Sequence, residues 1–188
     1  MDKVKFNIKN VHLAPMTEED TPNWSTPIKV PGAVSFSLAP QGDVTPFYAD
    51  GIIYYQSSAN NGYQGDLEMA LFPTEVLKSI FKIQEGKTSK VLTENATLQP
   101  VSFAMMFEED GDVTGTKFVL YNCTATRPTR SFSTTTDTKE PTTQTISITA
   151  SPLENGNILA MTQDSTEKTI IDNWYKEVYV EDETKSTE

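Results

Sequence analysis

The sequence predicts a mainly β fold with some helix (α+β): an antiparallel β-sandwich or barrel with one flanking helix and a long polar loop or arm late in the chain. Three observations support this prediction. Several segments alternate apolar and polar residues with the period of two that half-buried strands show. Clusters of Gly, Asn, Asp and Pro separate these segments, as turns do. One segment shows clear apolar spacing of the helical kind.

The predicted strands differ in how cleanly they alternate. The cleanest runs from Tyr63 to Leu71, and the first is a strand over residues 4–13 with a phase shift before Val11. Residues 47–55 are more continuously apolar, which predicts a strand covered on both faces. The remaining predicted strands lie at residues 34–38, 101–107, 116–123 and 145–150.

One helix is predicted to begin at Thr74, an N-cap residue type, followed by Glu75 at the positive end of the helix dipole. Its apolar face consists of Val76, Leu77, Ile80 and Phe81. A weaker helical pattern covers residues 167–175 and places Ile170, Ile171 and Trp174 on one side.

Residues 1–180 are predicted to form a single domain, and residues 181–188 an acidic tail without fixed structure. A domain of this size buries about 70% of its unfolded surface and needs no disulfide to fold. The single cysteine, Cys123, allows no internal disulfide. We expect no membrane span and no signal peptide, because no apolar run has the necessary length.

The charge balance argues against binding to anionic partners. The chain carries 15 basic and 26 acidic residues, for a net charge of −11. Tight binding to a nucleic acid backbone needs Lys and Arg that neutralise phosphates. The composition therefore argues against tight binding to a DNA backbone or an anionic membrane, and it is compatible with an acidic surface past which DNA moves without being held.

Catalytic patterns are weak throughout the chain. A dyad of His12 and Cys123 is formally possible, but Cys123 lies in an apolar run where cysteine packs as a small hydrophobe. Asp110 and Asp112 match the first positions of a calcium loop, yet Tyr121 stands where a bidentate Glu is required. A solvated hairpin connection is the better interpretation of this acidic stretch.

Two further patterns have ordinary structural interpretations. Asp66 and Glu68 point to one face of a strand, as paired catalytic carboxylates or a polar sheet face would. An aromatic platform for sugar is a second possibility, although packing is the usual role of such residues, here Trp24, Tyr48, Tyr54, Tyr55 and Tyr63. We assign no catalytic, cofactor or metal site, expect no cofactor, and predict that the chain is not an enzyme.

Gly65 is conspicuous because it interrupts the cleanest predicted strand. Glycine weakens a strand interior, so its presence indicates a bulge or a close backbone approach. We expect a larger residue at this position to impair folding or assembly.

In its order of short segments, the chain resembles the major tail proteins of long-tailed, non-contractile phages that infect Gram-positive bacteria. The resemblance extends over about residues 4–179 and rests on the order of the segments, since none is a strong motif alone. The segments are residues 45–50 (TPFYAD), 65–70 (GDLEMA) with Pro73, 103–108 (FAMMFE) with Gly111, Asp112 and Gly115, 119–123 (VLYNC), 127–128 (RP) and 137–141 (DTKEP).

This resemblance implies a phage tail tube-like fold of two sheets and a flanking helix. It also implies hexameric rings that share an inner barrel and stack into the tail tube, through which genomic DNA is ejected. The implied partners are further copies of the chain and the tape-measure and tail terminator proteins of the same virion. The implied location is the virion tail, with the host cytoplasm as the place of assembly.

The Thr-rich residues 127–143 are long and lack core residues, so we predict that they form an assembly arm between rings or a loop that becomes ordered on assembly. The charged candidates in this arm are Arg127, Arg130, Asp137, Lys139 and Glu140. Three alternatives remain open: an inner-tube protein of a contractile secretion system, a monomeric carbohydrate-binding β-sandwich, and an enzyme.

Overall fold

A computed structural model describes residues 7–18, 23–110, 115–132, 134 and 141–181. Within these residues the helices are α1 (Thr74–Ser79) and α2 (Lys168–Asn173). The strands, in chain order, are β1 (Asn7–Glu18), β2 (Asn23–Trp24), β3 (Ile28–Lys29), β4 (Ala33–Phe36), β5 (Ala39–Gln41), β6 (Val44–Ala49), β7 (Ile52–Ser58), β8 (Gly62–Met69), β9 (Gln84–Glu85), β10 (Leu92–Thr93), β11 (Phe103–Asp110), β12 (Lys117–Ala125), β13 (Gln144–Ser151) and β14 (Leu159–Met161).

Ten of the described strands form one antiparallel sheet in the order β2-β1-β11-β12-β13-β8-β4, with β3 beside β1, β14 beside β12 and β5 beside β8. The sheet curls, because β4 near one end of this order contacts β1 near the other. The mainly β, antiparallel fold that the sequence predicts is therefore confirmed. Two smaller sheets accompany it, β6 with β7 and β9 with β10.

The inner core fills the concave side of the curled sheet. Alternate residues of β8 and β13 point into it, so that Leu67 and Ile146 are fully buried. Helix α1 contributes Val76, and the segment that follows contributes Ile80 and Phe81 to the same core. The expected apolar face of the helix thus packs as predicted. The helix begins at Thr74 itself, because Pro73 occupies the N-cap position without a side-chain cap, so the predicted N-cap role of Thr74 was wrong.

A second apolar cluster lies on the opposite face of β1, β11 and β12. Met106 and Val119 face away from the inner core and are covered by the C-terminal segment, residues 168–181, where Trp174 is 2% exposed. Strand β11 is therefore buried on both faces, which accounts for its continuous apolar run from Phe103 to Phe107.

The prediction of a twice-covered strand at residues 47–55 was wrong. These residues belong to two strands, β6 and β7, that turn back on each other at Asp50 and Gly51. Both turn residues have positive φ, 53° and 77°, the conformation of a two-residue type I′ hairpin turn. The run is apolar because both hairpin strands are apolar, and it is not buried.

Strand β1 contains the predicted phase shift. Its register with β11 shifts between Lys9 and His12, and Asn10 has a positive φ of 54° at this bulge. The shift turns Val11 and Leu13 into the inner core and leaves His12 on the outer face beside the C-terminal segment.

Gly65 lies where two backbones cross closely. It pairs with Ile148 on β13, while Ser37 and Leu38, between β4 and β5, pass over it on the other edge of β8. A Cβ atom at this position would overlap the backbone carbonyl of Ser37. No flexible side chain can move aside to make room, because the obstacle is the main chain itself.

We predict that Gly65→Val lowers the free energy of unfolding by about 1–3 kcal/mol or prevents folding, because the crossing strand must shift. Urea unfolding followed by circular dichroism measures this change. Gln64→Val, on the adjacent position of β8, is the matched control and should cost much less. Equal stability of the two variants would show that the crossing tolerates a side chain.

Candidate assembly surfaces

The hairpin of β6 and β7 continues the pairing of β5 with β8 and extends beyond the main sheet. Asn61 donates its backbone N–H to the carbonyl of Gln41 at 2.8 Å, and Ala59 donates to Asp43 at 3.2 Å. The ribbon therefore remains paired from its base to its turn. At about 3.3 Å per residue, residues 42–49 reach about 25 Å from that base.

Large apolar side chains on this hairpin are exposed on both faces. Phe47 lies opposite Tyr55, and Tyr48 lies opposite Ile53. Phe47 and Tyr48 point to opposite faces of β6, because neighbouring residues of a strand do so, and the register with β7 shifts between them. The exposed fractions are Phe47 61%, Tyr48 63%, Ile52 63%, Ile53 53%, Tyr54 72% and Tyr55 64%.

The hairpin edge lacks the features that usually prevent association. Exposed strand edges are commonly protected by charged residues or proline. Here the single charged residue from Val44 to Ser58 is Asp50, which lies in the turn. Strand β6 contains Pro46, whereas β7 contains neither proline nor charge. Strand β7 is thus suited to pair with, or pack against, another polypeptide.

By contrast, the C-terminal segment fully covers its part of the outer face. Trp174 stacks on Tyr179 with ring centroids 5.5 Å apart, and Tyr175 stacks on His12 at 4.4 Å. Beneath them, the indole N–H of Trp24 donates to the carbonyl of Tyr121 at 3.2 Å. These aromatic rings pack against residues of the same chain.

Glu108 fastens the C-terminal segment to the sheet. Its carboxylate accepts hydrogen bonds from Asn10 at 3.0 Å and from the hydroxyl of Tyr175 at 3.2 Å. Lys117 lies 3.1 Å and Lys9 3.3 Å from its oxygens. Burial alone would raise the pKa of Glu108, but the hydrogen bonds from Asn10 and Lys117, together with the Lys117 charge, lower the pKa overall.

The neighbouring groups respond to the same environment. Burial and the Glu108 charge raise the pKa of Tyr175, so its hydroxyl stays protonated and donates. His12 donates from Nδ1 to the carbonyl of Asn10 at 2.7 Å. Burial is the main cause that lowers the pKa of His12, and the charge of Lys29 lowers it further, against the opposing effect of the Asn10 bond. These groups hold one another and form a structural network.

The His12 and Cys123 dyad is not formed. Cys123 is fully buried in the inner core, whereas His12 stacks on Tyr175 on the outer face of the sheet. Burial raises the pKa of the Cys123 thiol to about 12, which disfavours a nucleophilic thiolate. Cysteine acts here as a small apolar residue, the alternative that the sequence favoured.

Asp66 and Glu68 point to the outer face of β8, as expected from the alternation, and each bonds to hydroxyls of neighbouring strands. Ser147 donates to Asp66 at 2.6 Å, and Thr143 and Ser35 donate to Glu68 at 2.5 and 2.9 Å. The Thr143 and Ser35 bonds lower the pKa of Glu68. This arrangement is that of a polar sheet face.

The remaining sequence candidates are dispersed. Tyr48, Tyr54 and Tyr55 lie on the hairpin, whereas Trp24 and Tyr63 pack against the two apolar clusters of the domain. The five residues therefore do not form one platform. Asp112 lies outside the described residues, as does the side chain of Asp110. Among the residues that are described, no three His, Cys, Asp or Glu side chains are grouped to hold a metal ion.

The two described arginines of the predicted arm differ in their surroundings. Arg127 is held against the loop after α1, where its guanidinium donates to the carbonyls of Phe81 at 3.2 Å and Leu98 at 2.7 Å and pairs with Glu94 at 3.1 Å. Arg130 is exposed. The other three candidates, Asp137, Lys139 and Glu140, lie outside the described residues.

Sequence reasoning did not single out the hairpin as a surface or the Glu108 network. The Asp-Gly pair at residues 50–51 is a strong hairpin signal and could have revealed the turn. The network joins residues far apart in sequence, so no local pattern marks it.

In the described part of the chain, no helix is long and apolar enough to cross a membrane.

Comparison with known proteins gives similarity at the level of structure. No protein-family model and no curated protein matches the sequence. The chain is similar to the sheath/tube terminator of an extracellular contractile injection system, PVC, in its extended state. The TM-score is 0.46 at 15% sequence identity, and the match covers 82% of this chain and 94% of that chain. It is also similar to the tube-terminating cap of the anti-feeding prophage: TM-score 0.46, 15% identity, 85% of this chain and 93% of that chain.

The single histidine gives a direct test of the outer-face network. Because burial lowers the pKa of His12 below 6.5 in the folded chain, the unfolded chain takes up a proton more readily. We predict that the free energy of unfolding is constant between about pH 7 and 8 and falls as pH drops below about 6.5, by at most about 1.4 kcal/mol per pH unit.

His12→Phe keeps the stacking on Tyr175 and should remove this slope between about pH 7 and 5.5, a range in which ordinary carboxylates remain charged. Urea unfolding at a series of pH values measures both proteins. An unchanged slope in the variant would show that another group causes the pH dependence.

Proposed function

We propose that the chain is a structural virion protein that assembles into stacked hexameric rings and forms the tail tube of a long-tailed phage, the conduit for DNA ejection. The observation that carries this proposal is the hairpin of β6 and β7, apolar and exposed on both faces. A ribbon of this kind is stabilised when another polypeptide covers it, and identical copies are the simplest source.

Association has a large apolar contribution available. Full burial of one large apolar side chain contributes about 1.5–3 kcal/mol, and the hairpin exposes seven large apolar side chains, Val44 included. A head-to-tail contact between identical copies closes a ring or continues as a filament. A tube needs both outcomes: contacts within a layer close the ring, and contacts through the hairpin stack one ring on the next. The sequence resemblance to major tail proteins supports this assembly.

The charge of the chain suits a conduit for DNA. Basic residues are outnumbered, 15 against 26 acidic ones, for a net charge of −11. Phosphates therefore find few cations to hold them, and DNA can pass along a lumen of such subunits. Tape-measure and tail terminator proteins of the same virion are the further partners that this role requires. Repulsion between like-charged copies is screened by salt, which should favour assembly.

A second candidate function rests on the three exposed hairpin tyrosines, Tyr48, Tyr54 and Tyr55. Exposed aromatic rings can stack on sugars, as in a carbohydrate-binding module. Such a module works as a monomer and needs no apolar residues on the opposite face of the ribbon. The apolar residues on both faces favour the assembly role.

We predict that the purified chain forms hollow rings or tubes, seen by negative-stain electron microscopy, as protein and salt concentrations rise. The double variant Phe47→Lys with Tyr55→Glu replaces a directly opposed pair by an ion pair, which keeps the hairpin but makes one face polar. It should remain monomeric with an unchanged circular dichroism spectrum.

Phe47→Tyr with Tyr55→Phe is the matched control, since it keeps both rings, and should assemble as the natural chain does. A natural chain that stays monomeric under all these conditions and binds glycans through the hairpin would replace the assembly role by the carbohydrate-binding role. Normal tubes from the charged variant would exclude the hairpin from the interface.

A further inference from the structure

The C-terminal segment contains an open groove that none of the described residues fills. The groove has a volume of about 410 Å³ and lies between α2 and residues 177–180. Its apolar walls are Ile170, Trp174, Val178 and Tyr179, and Glu177 is the one charged residue of its lining. A groove with apolar walls and a single charge suits an apolar side chain next to a cation.

Trp174 forms part of the groove wall. Its side chain is 2% exposed, and its Nε1–H has no hydrogen-bond partner within the described part of the chain. Trp174 lines both this groove and a smaller adjoining cavity of about 230 Å³ beside β14.

The arm described above begins with residues that complement this groove. Phe132 is 91% exposed, more than any other large apolar side chain that the structure describes. Arg130, two residues earlier, is also exposed. An extended segment from 130 to 132 thus offers an aromatic ring, a cation on the same side of the chain, and backbone carbonyls.

The arm and the groove of one copy lie towards opposite ends of β12. Thr129 donates its backbone N–H to Thr145 at 3.0 Å, so the arm leaves the sheet beyond Ala125, which pairs with Ile148. The cavity that adjoins the groove is instead lined by Ala160, which pairs with Val119. Six residues of strand separate Val119 from Ala125, about 20 Å. A second copy is therefore the better source of the arm.

We propose that the groove of one copy binds residues 130–132 of a second copy. Phe132 packs against the apolar wall formed by Ile170, Trp174 and Val178, and Arg130 faces Glu177. The inference rests on the proposed self-assembly and adds a second contact to it, separate from the hairpin. Because donor and acceptor surfaces differ, the contact is head-to-tail and can repeat around a ring.

Charge exchange tests the contact directly. Phe132→Ala should weaken self-association at least about tenfold by sedimentation velocity, as expected for an aromatic anchor, whereas Val91→Ala, another exposed apolar residue, should have no effect. Arg130→Glu and Glu177→Lys should each weaken association, and the double variant that exchanges the two charges should restore it. Absence of the Phe132 effect, or absence of restoration, would overturn the proposal.

Mixing variants separates a contact between copies from one within a copy. Phe132→Ala supplies an intact groove and Glu177→Lys an intact arm, so an equimolar mixture should associate more strongly than either variant alone. A mixture that associates no more strongly than either variant would overturn the contact between copies. If the hairpin double variant abolishes assembly while Phe132→Ala does not, this inference fails and the proposed function stands. If Phe132→Ala weakens association and the hairpin double variant leaves it unchanged, the arm contact stands and the role of the hairpin fails.

Discussion

Each apolar face of a sheet has to be covered, and the way this requirement is met organises the whole molecule. Strand β11 is covered twice, by the inner core on one face and by the C-terminal segment on the other. The curvature of the sheet and helix α1 cover the first face, and Trp174 of the C-terminal segment covers the second. The hairpin of β6 and β7 has the same apolar character without cover on either face. The core of the domain is therefore buried, whereas the hairpin leaves apolar side chains exposed to solvent.

The cover over the outer face depends on one buried carboxylate. Glu108 is 7% exposed and holds Asn10, Lys117 and Tyr175 at once. Burying such a charge is unfavourable unless its hydrogen bonds are satisfied, and removing one partner leaves the others unpaired. The network therefore fixes where the C-terminal segment lies, and with it the position of the groove beside Trp174.

Features with local causes could be predicted from the sequence, and features with distant causes could not. Strand β8 alternates with a period of two, so its inward and outward faces could be predicted from the sequence, and β13 could be predicted as a strand. The close crossing at Gly65 involves Ser37, far away in sequence, and only the need for a glycine was visible. At residues 47–55 the pattern misled, because an apolar run looks the same whether the chain itself or another chain covers it.

Hydrogen–deuterium exchange of residues 44–58, at low and at assembling protein concentration, tests most directly whether another copy covers the hairpin. The account predicts rapid exchange of the outer-edge amides of β7 in the dilute protein and strong protection on assembly, since the free edge becomes paired or buried. Buried strands such as β11 serve as the internal reference and should be protected in both states. Assembly without new protection in the hairpin would contradict the account.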